Sequence, residues 1–385
     1  MKKVSVFGST GFIGKATVGI LSGNTEDFKV IALVAGSNVS LLAQQAKLLN
    51  AEMAVIADDD QYEELKRSLH GSGIRVAAGK EAVLEAAALS VDTAVMAITG
   101  IVALGAVMRL IESGVGTIAL ASKESVVCGG VLLRDAACKS GTRIVPVDSE
   151  HNAVFRLLSQ GDNPYKITIT ASGGPFLHWS HDQLKSVTIE DALVHPVWKM
   201  GKKISVDSAT MMNKALEVLE ASYLFELGYR KIDVVIHPES IVHALAFYQD
   251  GTSTALMSLP DMSIPILHAL YWPHRKEVSV REVDLIAYGK LTFIRPDFER
   301  FPALKAAFDI LQSSERDVAS IVFNAANEVA VESFLNSEIT FLEIVNIVLH
   351  VMNKVPYGKV SSLADIMEYD LLGRCIAREV ISDAS

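Results

Sequence analysis

The first 147 residues alternate short apolar runs, rich in β-branched residues, with longer stretches that have the periodicity of helices. The runs cover residues 4–7, 30–34, 54–57, 74–77, 93–98, 117–121 and 143–147. Their apolar character is continuous rather than alternating, which is typical of parallel strands that are covered on both faces. This part of the chain therefore predicts an α/β fold built on a doubly wound parallel sheet, the Rossmann-like architecture.

The rest of the chain has a different pattern. Strand-like runs cover residues 166–171, 232–236, 243–248 and 252–258, and a Gln-Asp-Gly turn joins the last two as a hairpin. Between them lie a Gly/Pro/Trp-rich stretch over 172–201 and a helix over about 209–227, so this region predicts a central α+β domain. We expect domains over 1–147 and 148–273, a linker over 274–301, and a small helical C-terminal domain over 302–385.

A glycine loop, GSTGFIG at residues 8–14, follows the first predicted strand and opens a helix. In that context the glycines let the backbone turn tightly and approach a pyrophosphate, whose charge meets the N–H groups of the helix N-terminus. A glycine-rich turn without a ligand is the alternative. After the second predicted strand, residues 36–38 (GSN) offer no carboxylate for a ribose 2′-hydroxyl, which favours NADPH over NADH.

Two carboxylates follow the seventh predicted strand, where folds of this class have their sites. Asp148 and Glu150 are two residues apart, so an extended backbone would direct both to the same side. Carboxylates held together repel each other unless a cation or a proton lies between them. Oxygen ligands without cysteine suit Mg²⁺ or Mn²⁺, although a solvated acidic turn is the alternative.

The predicted helix over 209–227 carries a polar stripe. Asn213, Glu217 and Glu220 lie on one face, Lys214 borders that face, and Asp207 or Ser208 is expected to cap the helix start. A solvated helix surface is the simpler interpretation. Other polar or glycine clusters end predicted elements at 123–124, 172–174 and 195–201, and this grouping favours a site.

Charge and cysteine content exclude several classes of partner. The chain has 45 acidic and 35 basic residues, a net charge of −10 and no basic cluster, which argues against nucleic acid and anionic membranes. The longest uncharged apolar run, 93–108, is too short to span a bilayer. Cys128, Cys138 and Cys375 have no metal-site spacing, so we expect neither disulfides nor thiolate metal sites, and a cytoplasmic location.

Seven motifs, taken in order, resemble the 1-deoxy-D-xylulose 5-phosphate reductoisomerase family, which makes 2-C-methyl-D-erythritol 4-phosphate in the non-mevalonate isoprenoid pathway. They are GSTGFIG, ALASKES at 119–125, PVDSEHNA at 146–153, TASGGPF at 170–176, HPVWKMGKKISVDSATMMNKALE at 195–217, IHPESIVH at 236–243 and FNAANEVAV at 323–331. The resemblance extends over essentially the whole chain. It implies an NADP-dependent oxidoreductase and isomerase that acts on a phosphorylated sugar, uses one divalent ion and forms a homodimer.

The resemblance also implies roles for individual residues. The metal ligands would be Asp148, Glu150 and Glu217, which with Lys123 and His195 form the catalytic set. The phosphate of the substrate would be bound by Ser172, Ser208, Asn213 and Lys214, and its sugar portion by Lys123, Ser149 and His195. Trp198 would cover the substrate and the nicotinamide side from a flap over 195–201. NADPH would be bound by Thr10, Gly11, Phe12, Ile13, Gly36, Ser37, Asn38, Ser122, Glu124 and Gly201.

Two other functions remain open at this point. A sugar-nucleotide epimerase or another short-chain-type dehydrogenase also opens with such a glycine loop, but needs a Tyr-x-x-x-Lys pair, a spacing that Tyr62 and Lys66 have. A non-catalytic NADPH-binding module would need no cluster of carboxylates. NADPH oxidation with 1-deoxy-D-xylulose 5-phosphate, with and without metal, separates the three.

Overall fold

The computed structural model describes residues 1–161, 163–198, 200–277 and 280–384. The strands are β1 (Lys2–Phe7), β2 (Phe28–Ala35), β3 (Met53–Ile56), β4 (Arg75–Ala78), β5 (Thr93–Met96), β6 (Thr117–Leu120), β7 (Arg143–Pro146), β8 (Lys166–Ala171), β9 (Ile232–Ile236), β10 (Val242–Phe247) and β11 (Ser253–Met257). The α-helices are α1 (Phe12–Ser22), α2 (Val39–Leu48), α3 (Tyr62–Ser68), α4 (Gly79–Ala87), α5 (Ala103–Glu112), α6 (Lys123–Ser140), α7 (Ser149–Leu158), α8 (His181–Leu184), α9 (Ile189–Leu193), α10 (Lys202–Ala209), α11 (Met212–Leu224), α12 (Ser263–Tyr271), α13 (Leu285–Tyr288), α14 (Pro302–Gln312), α15 (Arg316–Leu335), α16 (Phe341–Lys354) and α17 (Leu363–Ala384).

The predicted doubly wound sheet is confirmed. Its strands are parallel and run in the order β4-β3-β2-β1-β5-β6-β7. Strands β3, β5 and β6 are buried at every position, as their continuous apolar sequence requires. Strands β2 to β4 extend the sheet on one side of β1, and strands β5 to β7 extend it on the other side. The strand order therefore reverses beside β1. Ligands of such folds bind outside the carboxyl ends of the strands at this switch point.

The chain divides into two compact units. The first consists of Met1–Ser125, Leu133–Asn152 and Asp261–Val280, and the second of Val126–Leu132, Ala153–Pro260 and the chain from Arg281 onward. In the first unit, Lys2 Nζ donates a hydrogen bond of 2.8 Å to the carbonyl of Leu270, at the end of α12. The domain boundaries expected for the separate functions remain a prediction.

The second unit contains the predicted α+β sheet and the predicted C-terminal helices. Its sheet has the order β11-β10-β8-β9, in which β10 is antiparallel to both neighbours and β8 is parallel to β9. The sheet shares one apolar core with α11 and α14 to α16. Helix α15 is long and apolar enough to cross a membrane, but 83% of its most apolar window is buried inside the protein, as expected for a core helix.

One predicted helix is broken. The sequence predicted a single helix over 209–227, whereas α10 ends at Ala209 and α11 begins at Met212. Met211 adopts the left-handed conformation, with φ of 61°, and its side chain is 98% buried, so packing compensates for an unfavourable backbone. The prediction that Asp207 or Ser208 caps the helix start is therefore wrong, because both residues lie in the last turn of α10.

Candidate functional site

The glycine loop of the first unit joins β1 to α1 at the switch point of the sheet. Gly8 has a φ of +84°, and a Cβ on Gly14 would lie 2.1 Å from the carbonyl oxygen of Gly8, so both positions require glycine. Gly11 differs from them. It is exposed, and the nearest atom to a Cβ there would be 3.3 Å away. The loop thus leaves open backbone at Gly11, where a pyrophosphate could approach the N-terminus of α1.

The other residues predicted to bind NADPH follow strands of the same sheet or flank this loop. Gly36, Ser37 and Asn38 are exposed after β2, and the Asn38 side chain accepts a hydrogen bond of 3.1 Å from the N–H of Leu41 to cap α2. Thr10, Phe12 and Ile13 are partly or fully exposed, Ser122 and Glu124 are buried at the start of α6, and Gly201 of the second unit is exposed at the start of α10.

A buried ion pair joins the ends of β6 and β7. The Nζ of Lys123, the first residue of α6, lies 2.6 Å from a carboxylate oxygen of Asp148. The two side chains are only 7% and 15% exposed, so their charges are largely removed from water. A buried carboxylate needs such a partner, and the ammonium is therefore held at the carboxyl edge of the sheet.

The two carboxylates after β7 lie together, but not in the way predicted. Ser149 begins α7, so Glu150 lies in a helical turn rather than on an extended backbone. The turn still brings ligand oxygens of Asp148 and Glu150 within 4.8 Å of each other, and Ser149 Oγ donates a hydrogen bond to Glu150. Two hard oxygen ligands this close suit a divalent cation such as Mg²⁺. A ring nitrogen of buried His151 also lies within 4.8 Å of the Asp148 carboxylate, a neighbour that the sequence did not predict.

The polar stripe of the second unit lies on α11, where two of its side chains are hydrogen-bonded to Glu217. Glu217 is 99% buried and accepts a hydrogen bond of 2.5 Å from Asn213 Nδ2 and a second from Lys214 Nζ. Spacings of three and four residues place these side chains on one helix face.

Ser172 and His195 are joined by a hydrogen bond of 2.9 Å between Oγ and Nε2. His195 Nδ1 accepts the N–H groups of Val197 and Trp198 at 3.2 and 2.8 Å, so the neutral ring carries its proton on Nε2 and donates it to Ser172. Ser172 Oγ also accepts the N–H of Gly174 at 3.2 Å. Because this oxygen accepts twice, its own proton is directed toward another acceptor.

The loop that carries Ser172 approaches the end of α10. A Cβ on Gly174, which has a φ of +65°, would lie 2.7 Å from the carbonyl oxygen of Ser208. Only glycine permits this contact between the two backbones. The second unit therefore places Gly174, two residues after Ser172, against the backbone of the half-buried Ser208, one residue before α10 ends.

We expect His195 to titrate far below an ordinary histidine. Burial lowers its pKa from 6.5 to about 4, because the charged ring is poorly solvated. The unfolded chain binds this proton at a higher pH than the folded one does. The contribution of His195 to stability is therefore fully present above pH 6.5 and is lost as the pH falls from 6.5 to about 4.

An NMR titration of the imidazole C–H signals checks this expectation, with His195→Asn used to assign the signal and to remove its contribution to the pH dependence of unfolding. A titration midpoint near 6.5 would contradict the buried, backbone-bonded ring.

The Tyr-x-x-x-Lys pair of the dehydrogenase alternative lies elsewhere. Tyr62 and Lys66 are on α3, between β3 and β4 at the sheet edge away from the switch point. Lys66 Nζ lies 5.4 Å from the centroid of the Tyr62 ring and 3.9 Å from Glu63. This arrangement is an ordinary exposed helix surface rather than a catalytic pair.

Three family models match the chain in sequence order. A model described as 1-deoxy-D-xylulose 5-phosphate reductoisomerase matches residues 4–130. A model of the C-terminal domain of that enzyme matches residues 144–225, and a model described as the DXP reductoisomerase C-terminal domain matches residues 257–376.

Individual relatives agree with these models. The curated 1-deoxy-D-xylulose 5-phosphate reductoisomerase of Anaplasma phagocytophilum (strain HZ) is 99% identical over 385 residues, which is 100% of both chains. That of Anaplasma marginale (strain Florida) is 59% identical over 98% of this chain and 96% of the relative. The solved Zymomonas mobilis enzyme in complex with NADPH has a TM-score of 0.92 at 42% identity, covering 99% of each chain. A DOX-P reductoisomerase solved with NADPH, fosmidomycin and magnesium has a TM-score of 0.91 at 35% identity, covering 99% of this chain and 98% of that one.

Proposed function

Because this chain belongs to the 1-deoxy-D-xylulose 5-phosphate reductoisomerase family, we propose that the side chains described above form the active site of that reaction. The chain is an NADPH- and divalent-metal-dependent reductoisomerase that converts 1-deoxy-D-xylulose 5-phosphate to 2-C-methyl-D-erythritol 4-phosphate. The residue assignments rest on one observation above all, the paired carboxylates of Asp148 and Glu150 beside Lys123 at the carboxyl end of a parallel strand.

We assign the divalent ion to Asp148, Glu150 and Glu217. The first two offer hard oxygens within 4.8 Å of each other, and Glu217 is a buried carboxylate on the phosphate-binding helix proposed below. Bound Mg²⁺ or Mn²⁺ polarises the oxygens of the substrate, and NADPH supplies the reducing equivalents. Lys123 holds the Asp148 carboxylate in place and brings a positive charge to the sugar portion of the substrate, while Ser149 orients Glu150.

We assign the substrate phosphate to Ser172, Ser208, Asn213 and Lys214. The Ser172 proton is directed toward an acceptor because its oxygen already accepts two hydrogen bonds. Asn213 and Lys214 add amide and ammonium donors at the start of α11, where the helix dipole also favours an anion. A chain with a net charge of −10 thus binds a phosphate by local donors rather than by a basic surface.

We assign NADPH to the glycine loop and to residues 36–38, 122, 124 and 201. The exposed backbone at Gly11 supports a pyrophosphate at the N-terminus of α1, and residues 36–38 present no carboxylate to repel a 2′-phosphate. The glycine loop follows β1, the strand beside which the strand order of the sheet reverses. Folds of this class bind their ligands at that place.

A coupled assay tests the assignment as a whole. NADPH oxidation is followed with 1-deoxy-D-xylulose 5-phosphate, with Mg²⁺ or Mn²⁺ and after treatment with a chelator. Turnover that needs both the sugar phosphate and the ion supports the proposal. NADPH oxidation that persists without any divalent ion would exclude the carboxylate cluster from the reaction.

Trp198 is expected to act as a lid rather than as a core residue. Its backbone N–H donates to His195 at 2.8 Å and the residue is half-buried, so Trp198 is attached to His195. Lys199 of the predicted flap lies outside the described residues. We expect Trp198→Ala to lower kcat/KM by about tenfold or more because water then reaches the reacting atoms, with a small change in melting temperature.

Trp179→Ala is the matched control for this variant. Trp179 is partly buried like Trp198, but it packs on the core residue Phe176 with ring centroids 4.8 Å apart, so truncating it should cost about 2–3 kcal/mol. If Trp198→Ala lost stability like Trp179→Ala and kept normal kinetics, the lid would be excluded.

We also propose that the chain forms a homodimer in the cytoplasm. Strand β11 is an edge of the second sheet, and an edge strand can pair its backbone with that of a second copy. Cys138 and Cys375 are exposed thiols, which suits a reducing compartment. Light scattering of the purified chain should give twice the mass of one chain, and a monomer would refute the dimer. The absence of nucleic-acid and membrane partners remains a prediction from net charge.

A further inference from the structure

Arg300 lies in the predicted linker, yet its guanidinium binds two backbone carbonyls of the segment 177–179, more than 120 residues earlier in the sequence. Nη1 donates to the carbonyl of Trp179 at 2.8 Å, and Nη2 donates to the carbonyl of Leu177 at 2.7 Å. Both carbonyls belong to the segment between the Ser172 loop and α8. A planar guanidinium can bridge two acceptors at once, which an ammonium point charge does less well.

The guanidinium is itself held in place. One Asp297 carboxylate oxygen accepts the backbone N–H groups of Glu299 and Arg300 at 3.1 and 3.0 Å, and the other lies 3.8 Å from Nε of the guanidinium. The guanidinium also lies 4.9 Å from the centroid of the Phe301 ring, and the side chain is only 22% exposed. Arg300 is therefore a fixed clamp rather than a mobile surface arginine.

Leu177 transmits this clamp to the Ser172 loop. A Cβ on Gly173 would lie 3.0 Å from both terminal carbons of Leu177, so the leucine side chain packs directly on the Gly173 backbone. Gly173 has a φ of +88°, and the residue before it is Ser172. A shift of Leu177 would therefore move the backbone that aims the Ser172 hydroxyl.

We propose that Arg300 is a positioning residue that fixes the Ser172 loop for the phosphate of the substrate. It acts through the Leu177 and Trp179 carbonyls and through the packing of Leu177 on Gly173. The inference rests on the proposed role of Ser172 in phosphate binding. It extends the site to a segment whose proline-rich sequence predicted only a linker.

The cavity beside Arg300 makes this role separable from folding. A space of about 230 Å³ is lined in part by Arg300, Phe301, Thr210 and Phe341. When the guanidinium is removed, water from this space can hydrate the two carbonyls, since a bridging water replaces much of a lost hydrogen bond. What is lost is the fixed geometry of the loop.

The test uses Arg300→Met, which keeps the length of the side chain without its donors, and Arg300→Lys, which keeps one charged donor group. Arg295→Met is the control, because Arg295 is exposed in the same segment. We expect Arg300→Met to raise KM for 1-deoxy-D-xylulose 5-phosphate about tenfold, with kcat changed less than about threefold and NADPH affinity unchanged. Arg300→Lys should give a KM between those of the parent and Arg300→Met, and Arg295→Met should leave KM unchanged.

Two further readouts distinguish positioning from general destabilisation. A looser loop admits water to His195, so Arg300→Met should raise the pKa of His195 from about 4 toward 6.5. In addition, Arg300→Met should have little further effect on KM in a Ser172→Ala background, because both changes remove the same interaction.

The outcomes separate this inference from the proposed function. If Ser172→Ala leaves KM unchanged, the phosphate assignment itself fails. If Ser172→Ala raises KM but Arg300→Met and Arg300→Lys do not, the phosphate assignment stands and the positioning role of Arg300 is overturned. Additive effects of Arg300→Met and Ser172→Ala would also overturn it.

Discussion

Glu217→Gln is expected to lower turnover of 1-deoxy-D-xylulose 5-phosphate by roughly a thousandfold or more while NADPH affinity stays nearly constant. The substitution keeps the shape of the side chain but removes the negative charge that a divalent ion needs. Glu217 lies on α11, whereas the glycine loop lies between β1 and α1, so the two functions separate. Steady-state kinetics with Mg²⁺ titration and NADPH fluorescence binding measure the two effects.

Stability must be measured beside activity for this variant. Lys214 is only 4% exposed at its side chain and donates to Glu217, so a neutral Gln leaves a buried ammonium without its carboxylate. Breaking a buried pair in this way can cost about 3–5 kcal/mol. Glu217→Asp retains the charge, so it should melt closer to the parent and still lose most activity, because the shorter side chain withdraws the ligand oxygen.

Glu220→Gln tests the choice of ligand on this helix. Glu220 lies on the same face of α11 and is 99% buried, so burial and charge alone do not distinguish it from Glu217. If Glu220→Gln removes metal-dependent turnover and Glu217→Gln does not, the proposed ligand set is wrong. Asp148→Asn should resemble Glu217→Gln, with the added loss of the ion pair to Lys123.

The first sheet could be predicted from sequence because burial on both faces leaves a direct trace. A strand such as β5 is buried at every position, and the sequence there is apolar without alternation. The glycine loop was equally readable, because the positive φ of Gly8 and the close approach of Gly14 to the Gly8 carbonyl oxygen are local demands that only glycine meets. Structural features that depend on neighbouring residues in the chain can thus be predicted from the sequence alone.

Features set by distant contacts were not predicted. The left-handed Met211 is stabilised by burial of its side chain, and the apolar periodicity of the region hides the break. Arg300 contacts carbonyls more than 120 residues away, so nothing in its neighbourhood separates it from other arginines. For Asp148 and Glu150 the identity of the pair was predicted and the backbone was not, because α7 begins at Ser149, where the sequence predicted an extended backbone.

Gly14→Ala is expected to abolish NADPH binding and to destabilise the first unit. The new methyl carbon would lie 2.1 Å from the Gly8 carbonyl oxygen and 2.6 Å from backbone atoms of Ser9, so the loop must move. Backbone atoms of a turn between β1 and α1 cannot yield as the end of a flexible side chain can. Thermal unfolding and NADPH fluorescence titration measure both effects.

Gly11→Ala should be measured beside Gly14→Ala, because it separates a loss of NADPH binding from a loss of stability. Its Cβ would meet the Gly8 carbonyl oxygen at 3.3 Å, a tight contact that a shift of a few tenths of an ångström relieves, so the loss of stability should be much smaller than for Gly14→Ala. NADPH affinity should nevertheless fall about tenfold, because the methyl group obstructs the pyrophosphate. Gly19→Ala, with no atom within 4 Å, is the control and should stabilise α1 by about 0.5–1 kcal/mol without affecting NADPH. Unchanged NADPH affinity in a stable Gly11→Ala protein would mean that the loop is a tight turn and that the cofactor binds elsewhere.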